Sequence, residues 1–415
     1  MVTVRTIFVL LLLLLPAQAA QKFYTYVGAL DAESAILAWG TTEGDNTIGR
    51  SSASHGKAVV KIGSRQLTTS QNWIRVEGLK PDTEYEYEVA VDGRQVGKGW
   101  LRTWPRKAGT LAFFVIGDYG NATRAQYRVA RAMREEFERR RNSDFPVRFV
   151  LTTGDNIYGK LNMFLKYRRT GNSDRHWERT FFAPYEKIIS SIPFYPTLGN
   201  HDGNQSESQE DLDAYLDNFF FPEDGPRRYY HFNYAGLADF FALDSTSNTN
   251  ERDQKAPYLP EGEQHPWLKE NLQKAASTPW RIAYFHHPPF TAGPAHASSR
   301  SFLKHFLELF ERNRVQVVFT GHEHNFQASN ARETGGVQYI VTGAGGERRS
   351  GNILRWMQKA GISAWSPQHH FLVVEVERDI MRIFPKSFRE VKVVDWNNKP
   401  VSLPIVVKRQ NGADR

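Results

Sequence analysis

Two rhythms of apolar and polar positions run along this 415-residue chain. From about residue 22 to 105, apolar and polar residues alternate in short runs such as AILAWGT (35–41) and KAVVKIG (57–63), separated by polar, glycine-rich turns. A period of two predicts β-strands with one buried face, because successive side chains leave a strand on opposite sides. After TWPRKAGT (103–110), which reads as a linker, the pattern changes. LAFFVIGD (111–118) is followed by the helical stretch ATRAQYRVARAMREEFERRR; VRFVLTTGD (147–155) and IPFYPTLGNHD (192–202) follow, the latter preceding the helical QEDLDAYLDNFF. LADFFALDS, RIAYFHHPP, VQVVFTGHEH and VQYIVTGAGG continue the series. Nearly unbroken apolar strands predict a sheet covered on both faces by helices. The fold class is therefore α/β: an N-terminal antiparallel β-sandwich over 20–105, then a layered α/β domain over 106–405. The chain carries no internal repeat and no low-complexity tract.

Within the first region, VEGLKPDTEYEYEVAVDG (76–93) places Tyr85 and Tyr87 after a Leu-Lys-Pro-Asp-Thr turn. It resembles the tyrosine corner of fibronectin type III sandwiches, with Trp39 as the core aromatic. No cluster of chemical side chains falls in this region, which reads as a structural spacer.

The N-terminus, MVTVRTIFVLLLLLLPAQAA, has a basic start, a short apolar core and a small-residue cleavage pattern. It predicts a signal peptide over 1–19, cleaved after Ala19 or Ala20, and a secreted or periplasmic protein with no stable membrane span after cleavage. The absence of cysteine excludes disulfides, thiolate metal ligands and a cysteine nucleophile. The formal net charge of +8 is spread along the chain. It suits a solvated surface or attraction of an anionic substrate, and indicates no nucleic-acid partner.

The candidate chemistry lies where the apolar runs stop. In open α/β sheets ligands bind beyond the carboxyl ends of strands, and five strand ends here carry metal-type side chains: Asp118, Asp155, Tyr158, Asn200, His286, His322 and His324. Two carboxylates, a phenol, an amide oxygen and three imidazoles exceed what one ion needs. They suit two ions sharing a carboxylate, an arrangement used to clamp the attacking and leaving oxygens of a phosphoryl displacement. Oxygen and nitrogen donors without sulfur suit hard or borderline metals.

In sequence order, the blocks Gly117-Asp118-Tyr119-Gly120, Gly154-Asp155-Asn156-Ile157-Tyr158, Gly199-Asn200-His201-Asp202, the strand end at His286 and Gly321-His322-Glu323-His324 resemble the metallophosphoesterase family. Tyr158 resembles its purple acid phosphatase branch, whose larger members also carry a fibronectin-like domain. The resemblance covers roughly 111–376 and implies an αββα catalytic domain. It implies that Asp118, Tyr158 and His324 hold Fe(III), that Asn200, His286 and His322 hold a divalent ion (Zn, Mn or Fe), and that Asp155 bridges them. It further implies acid phosphatase-like hydrolysis of small-molecule phosphate monoesters by metal-activated hydroxide. His201 would contact the phosphate or protonate the leaving group, and His296 would be a further substrate-facing histidine. His286 is preferred to His287 because His286-His287-Pro288 meets the family's His-x-Pro pattern.

Rival readings are a phosphodiesterase with two divalent ions in the same site and a non-catalytic surface binding protein. No Gly-x-Ser-x-Gly elbow and no phosphate-cradling Gly-Lys-Ser/Thr loop is present, which disfavours a serine hydrolase and a nucleotide-driven motor. Asp244, although it ends a strand, reads as structural. His176, His231, His265, His305, His369 and His370 read as ordinary surface or core histidines. The basic stretch at 165–182 reads as a solvated loop near the rim.

Overall fold

Alternation over the first region folds into two antiparallel sheets. One orders Phe23–Leu30, Ala35–Thr41 and Trp73–Val76; the other orders Arg65–Thr69, Ala58–Ile62, Glu84–Val91 and Arg94–Arg102. Ala58, Val60 and Ile62 are buried while Lys61 between them is exposed, the two-residue period made visible. The Tyr85 hydroxyl accepts the Lys80 amide at 2.8 Å, closing the turn before its strand, and Trp39 is fully buried. The structure, a computed structural model, describes residues 22–42, 48–52, 54–158, 174–202, 212–222, 228–246, 258–349 and 351–409. The expected leader at 1–19 lies outside them.

The second region is a pair of mixed sheets packed face to face. The first orders Phe194–Tyr195, Val147–Thr152, Thr110–Ile116, Phe371–Glu377, Ile380–Lys386 and Ile405–Lys408. The second orders Tyr230–Tyr234, Ala238–Ala242, Trp280–Tyr284, Val317–Thr320, Gln338–Thr342, Phe326–Ser329 and Ile362–Ser366. Phe113 and Phe149 of the first sheet meet Phe240 of the second edge-on, with ring centres 5.3 and 5.2 Å apart. Along Trp280–Tyr284, Ile282 and Tyr284 join this central core. Ala283 and Phe285 instead join a separate cluster under the helices Gln264–Lys274 and Arg300–Arg312. Both faces are apolar because both are covered. The helix Arg124–Arg140 starts at Thr123, whose side chain accepts the Gln126 amide, and buries Val129, Met133 and Phe137.

The sandwich is more than a spacer. Its hydrophobic core is continuous with that of the α/β domain. Trp104 sits among Phe149, Tyr195, Phe232 and Tyr234, and Trp100 stacks on Phe137 within 4° of parallel. Tyr87 donates to the Ser190 carbonyl at 2.8 Å. Among the described residues no helix is long and apolar enough to cross a membrane.

Candidate metal centre

Within the two packed sheets, Phe194–Tyr195, Val147–Thr152 and Thr110–Ile116 are mutually parallel, as are Ala238–Ala242, Trp280–Tyr284, Val317–Thr320 and Gln338–Thr342. Asp118, Asp155, Tyr158, Asn200, His286, His322 and His324 all follow the carboxyl ends of these strands. Three of them stand in left-handed backbone: Asp118 at φ 54°, Asp155 at 51° and His322 at 67°. Such backbone is costly for residues other than glycine, and its clustering at one rim marks a site where geometry outweighs local comfort. The loops are laced together: the Asp118 amide donates to the Gly154 carbonyl at 3.1 Å, and the Tyr158 amide to the Gly120 carbonyl at 2.8 Å. Gly199 packs so closely that a Cβ there would collide with the Asp155 amide and carboxylate.

Two groups of donor atoms flank Asp155. On one side, Asp118, Asp155 and His324 bring ligand atoms within 4.8 Å of one another. The Tyr158 hydroxyl joins them, 3.2 Å from Asp118 Oδ1 and 3.3 Å from His324 Nε2. On the other side, His286 Nε2 lies 3.4 Å from Asp155 Oδ2, 2.9 Å from Asn200 Oδ1 and 3.1 Å from His322 Nδ1. All seven residues named from sequence thus come together.

Electrostatics test whether cations fit. His286 is buried and its Nδ1 lies 2.8 Å from the Thr153 carbonyl, so Nδ1 carries the proton and Nε2 presents a lone pair. That lone pair points at an amide oxygen, a carboxylate and another imidazole, a convergence of acceptors that a cation relieves. Burial, then the neighbouring imidazoles, holds His286 well below the ordinary histidine value. His322 is likewise pushed far down by burial and by His286, His287, His296 and His324. Neutral imidazoles are ligands, not counter-charges. Asp118, fully buried, is pushed up to about 7 by loss of water, against the pull of His324. Burial works against charge on His324, but Asp118 more than offsets it and raises its affinity for a proton. The Tyr158 phenol is held well above its ordinary value by burial and by Asp118 and Asp155. Among the described residues no lysine or arginine pairs with Asp118 or Asp155. Buried carboxylates with no lysine or arginine against them among the described residues, facing bare nitrogens, form a donor set that fits two cations.

The two histidines proposed to meet substrate flank this set. The His201 ring lies 4.6 Å from that of Tyr158, and its amide donates to Asp155 Oδ1 at 2.9 Å. His296 stacks on His322 with centres 3.8 Å apart. Both line a cavity of about 570 Å³ with Asn121, Arg179, Arg348 and Arg349.

Several participants escaped the sequence. Asp202, fully buried, accepts the Asn156 and Ile157 amides, the Asn156 side-chain amide and the Gly199 amide, tying the Asp155 loop to the Asn200 loop. Asn156 in turn accepts the Tyr119 hydroxyl and donates to the Thr197 carbonyl. Glu323, also buried, accepts the Ala295 and His296 amides at 3.3 and 2.9 Å. Acidic and amide residues inside the strand-end blocks were the available signal. His287, passed over as a ligand, is half-buried beside His322 and hydrogen-bonds Ser245. Two readings need correction. His176 is not an ordinary surface or core histidine: it lines the cavity, with Nε2 on the Tyr158 carbonyl. The stretch at 165–182 is no solvated loop in its second half, where residues 174–182 are helical and Trp177, Phe181 and Phe182 are buried against the core. Residues 159–173 lie outside the described residues. Asp244 ion-pairs with Arg228, and His370 is buried against Thr342 and Gln368.

Comparison with known proteins agrees with this architecture. The calcineurin-like phosphoesterase family profile matches residues 111–326, and the chain belongs to that family. It is 26% identical over 315 residues to purple acid phosphatase 15 of Arabidopsis thaliana, covering 66% of this chain and 53% of that one. It is 27% identical over 249 residues to tartrate-resistant acid phosphatase type 5 of Mus musculus, covering 57% of this chain and 72% of that one. The chain thus spans 53% and 58% of the length of purple acid phosphatases 15 and 21 of Arabidopsis thaliana. Its fold is shared with PhoD (TM-score 0.66, 16% identity, 92% of each chain). It is also shared with a purple acid phosphatase from yellow lupin seeds (TM-score 0.66, 14% identity, 94% of this chain and 75% of that one).

Proposed function

We propose that this protein is an exported phosphatase that hydrolyses phosphate monoesters at a two-metal centre. The observation that carries the proposal is the pair of acceptor groups on either side of Asp155, with no lysine or arginine against them among the described residues. Asp118, Tyr158 and His324 would hold Fe(III), Asn200, His286 and His322 a divalent ion, and Asp155 would serve both. Bound there, the ions would supply Lewis-acid polarisation of the phosphoryl oxygens and a water acidified enough to act below neutral pH.

The chain's own residues do the rest. Tyr158, whose phenol keeps its proton beside two carboxylates, ionises only with a strong cation at hand, which favours a ferric ion over a second divalent one. His201 and His296 face the cavity from opposite groups of ligands, one ring against Tyr158 and the other against His322. They would bind the phosphate oxygens and give a proton to the departing alcohol oxygen. Glu323 keeps the His296 backbone in place, so that its ring is oriented before substrate arrives. Export is proposed from the leader-like start of the chain, and the domain limits 20–105 and 106–405 follow the change in sequence pattern.

Metal analysis and a visible spectrum of the purified mature protein test the proposal, together with rates on nitrophenyl phosphate and its bis ester across pH. One iron, one divalent ion, a broad visible band and monoester preference at mildly acid pH are expected. Two zinc ions, no colour and faster diester cleavage would move the assignment to a phosphodiesterase.

A further inference from the structure

Beside the catalytic cavity lies a second hollow of about 390 Å³, lined by Arg124, Arg128, Arg348 and Arg389 with Gln368 and His369. Arg348 borders both hollows. Its arginines come from the start of the Arg124–Arg140 helix, the turn after Gln338–Thr342 and the loop after Ile380–Lys386, and Gln368 and His369 from the loop before Phe371–Glu377.

The hollow gathers four arginines without a matched acid among the described residues. Further along the same helix, arginines are matched with acids: Arg134 with Glu138, and Arg139 and Arg140 with Glu136. Among the described residues none of the four hollow-lining arginines has a carboxylate within ion-pair distance. The first turn of the helix holds no acidic residue, so Arg124 and Arg128 also face the positive end of its dipole. Glu347, next in sequence to Arg348, lines the catalytic cavity and accepts the Asn121 side-chain amide. The cluster is also ordered: the Arg128 guanidinium lies 3.8 Å over the Phe388 ring, and His369 Nδ1 lies 3.3 Å from the Ala344 carbonyl. Repulsion of this kind is relieved by a bound anion, and the forked guanidinium matches phosphate.

Resting on the phosphatase assignment above, we propose that this hollow is a second phosphate site and that the substrate is a phosphate ester or anhydride whose leaving group carries a further phosphate. The phosphate to be cleaved sits over Asp155, and the distal one is held by Arg348 with Arg128 and Arg389. The chemistry is plain hydrolysis: a water oxygen bonds to phosphorus, the P–O bond to the leaving group (ester or anhydride) breaks, and the leaving oxygen takes a proton. A hollow of limited volume, in place of a long basic stripe, selects a small multiply phosphorylated molecule over a nucleic acid. The distal phosphate has two chemical sources, a phosphoanhydride chain or a second ester on a polyol.

Both sources enter the test. kcat/KM is measured for nitrophenyl phosphate, inorganic tripolyphosphate and fructose 1,6-bisphosphate, in wild type and in Arg128→Ala/Arg389→Ala. Both side chains are exposed, and a thermal melt checks the fold. Wild type should prefer one multiply phosphorylated substrate by roughly tenfold, and the double variant should lose that preference through KM, with nitrophenyl phosphate changed less than about twofold. The arm that falls identifies the source. Equal loss on all three substrates, or no loss, would overturn the proposal. If wild type cleaves none of the three, the phosphatase assignment is what failed. Calorimetric titration with tripolyphosphate then decides the second site alone: binding roughly tenfold weaker in the double variant sustains it, and equal binding overturns it.

Discussion

Replacing Asp202 by asparagine is the sharpest perturbation of the framework that holds the site. Oδ1 accepts the Asn156 and Ile157 amides at 2.7 and 3.1 Å, and Oδ2 accepts the Asn156 side chain and the Gly199 amide at 2.8 and 2.7 Å. Burial and the Asp155 charge push its affinity for a proton upward, while these four donors pull the other way. The net shift is upward, yet four N–H donors need four lone pairs, which only the carboxylate offers. Asparagine keeps one oxygen and its two bonds, but turns an NH2 group toward two buried donors. Stranding two donors at about 1–3 kcal/mol each gives roughly 2–6 kcal/mol, and relief of the buried charge brings the net nearer about 2–4 kcal/mol. Denaturant unfolding of chelator-treated protein reads this without a metal contribution. Amide exchange of Asn156, Ile157 and Gly199 reads it locally, and should accelerate by a factor on the order of 30 or more. Metal content of the untreated variant should fall as well, because the loops bearing Asp155 and Asn200 lose their tie. A cost under about 1 kcal/mol, with unchanged exchange, would refute the ionised clasp.

Tyr158→Phe should abolish the visible band of the iron-loaded protein and leave hydrolysis within about tenfold of wild type; an unchanged spectrum would remove the phenol from the metal. Glu323→Ala strands the Ala295 and His296 amides and should lower kcat by up to about a hundredfold with little change in KM. Glu323→Gln, which keeps an acceptor oxygen, should restore most of it, and a failure of that rescue would argue against positioning. Burial pushes His370, fully enclosed, down to about 4. Below about pH 6.5 the unfolded chain takes up a proton there that the folded chain refuses until about pH 4. Its contribution, about 3 kcal/mol at most, is present above pH 6.5 and lost as pH falls toward 4. His370→Gln should flatten that limb of the stability–pH curve, and an unchanged slope between pH 4 and 6.5 would count against the assignment.

What was legible in the sequence follows from how each feature is encoded. The strand ends were legible because an apolar strand needs a polar residue only where it leaves the sheet. Asp118, Asp155 and His322 each follow a glycine that lets the chain turn into left-handed backbone. The tyrosine corner was legible because the Tyr85 hydroxyl reaches only five residues back. The shared core was not, since Trp104 meets Tyr195 and Phe232 across a separation that no local pattern records. The second half of 165–182 was misjudged because a basic, aromatic-rich composition describes solvated loops and snorkelling helices alike. Trp177 and Phe181 face the core while Arg179 faces the cavity.

The clasp and the arginine hollow were illegible for opposite reasons. Asn156 and Asp202 sit inside recognisable blocks, but their neighbours Asp155, Asn200 and His201 offered chemistry enough to explain those blocks. A buried carboxylate that serves only amides looks, in sequence, like one more ligand. The hollow is dispersed instead. Arg124, Arg128, Arg348 and Arg389 are four among 53 lysines and arginines, and nothing in their local sequence separates them from Arg134 or Arg139. What separates them is that no acid among the described residues is matched to them, a property of three-dimensional neighbourhood alone. A formal charge of +8, read along the chain, averages over paired and unpaired cations. Folding sorts them, leaving an unmatched cluster beside the cavity where an anionic substrate would enter.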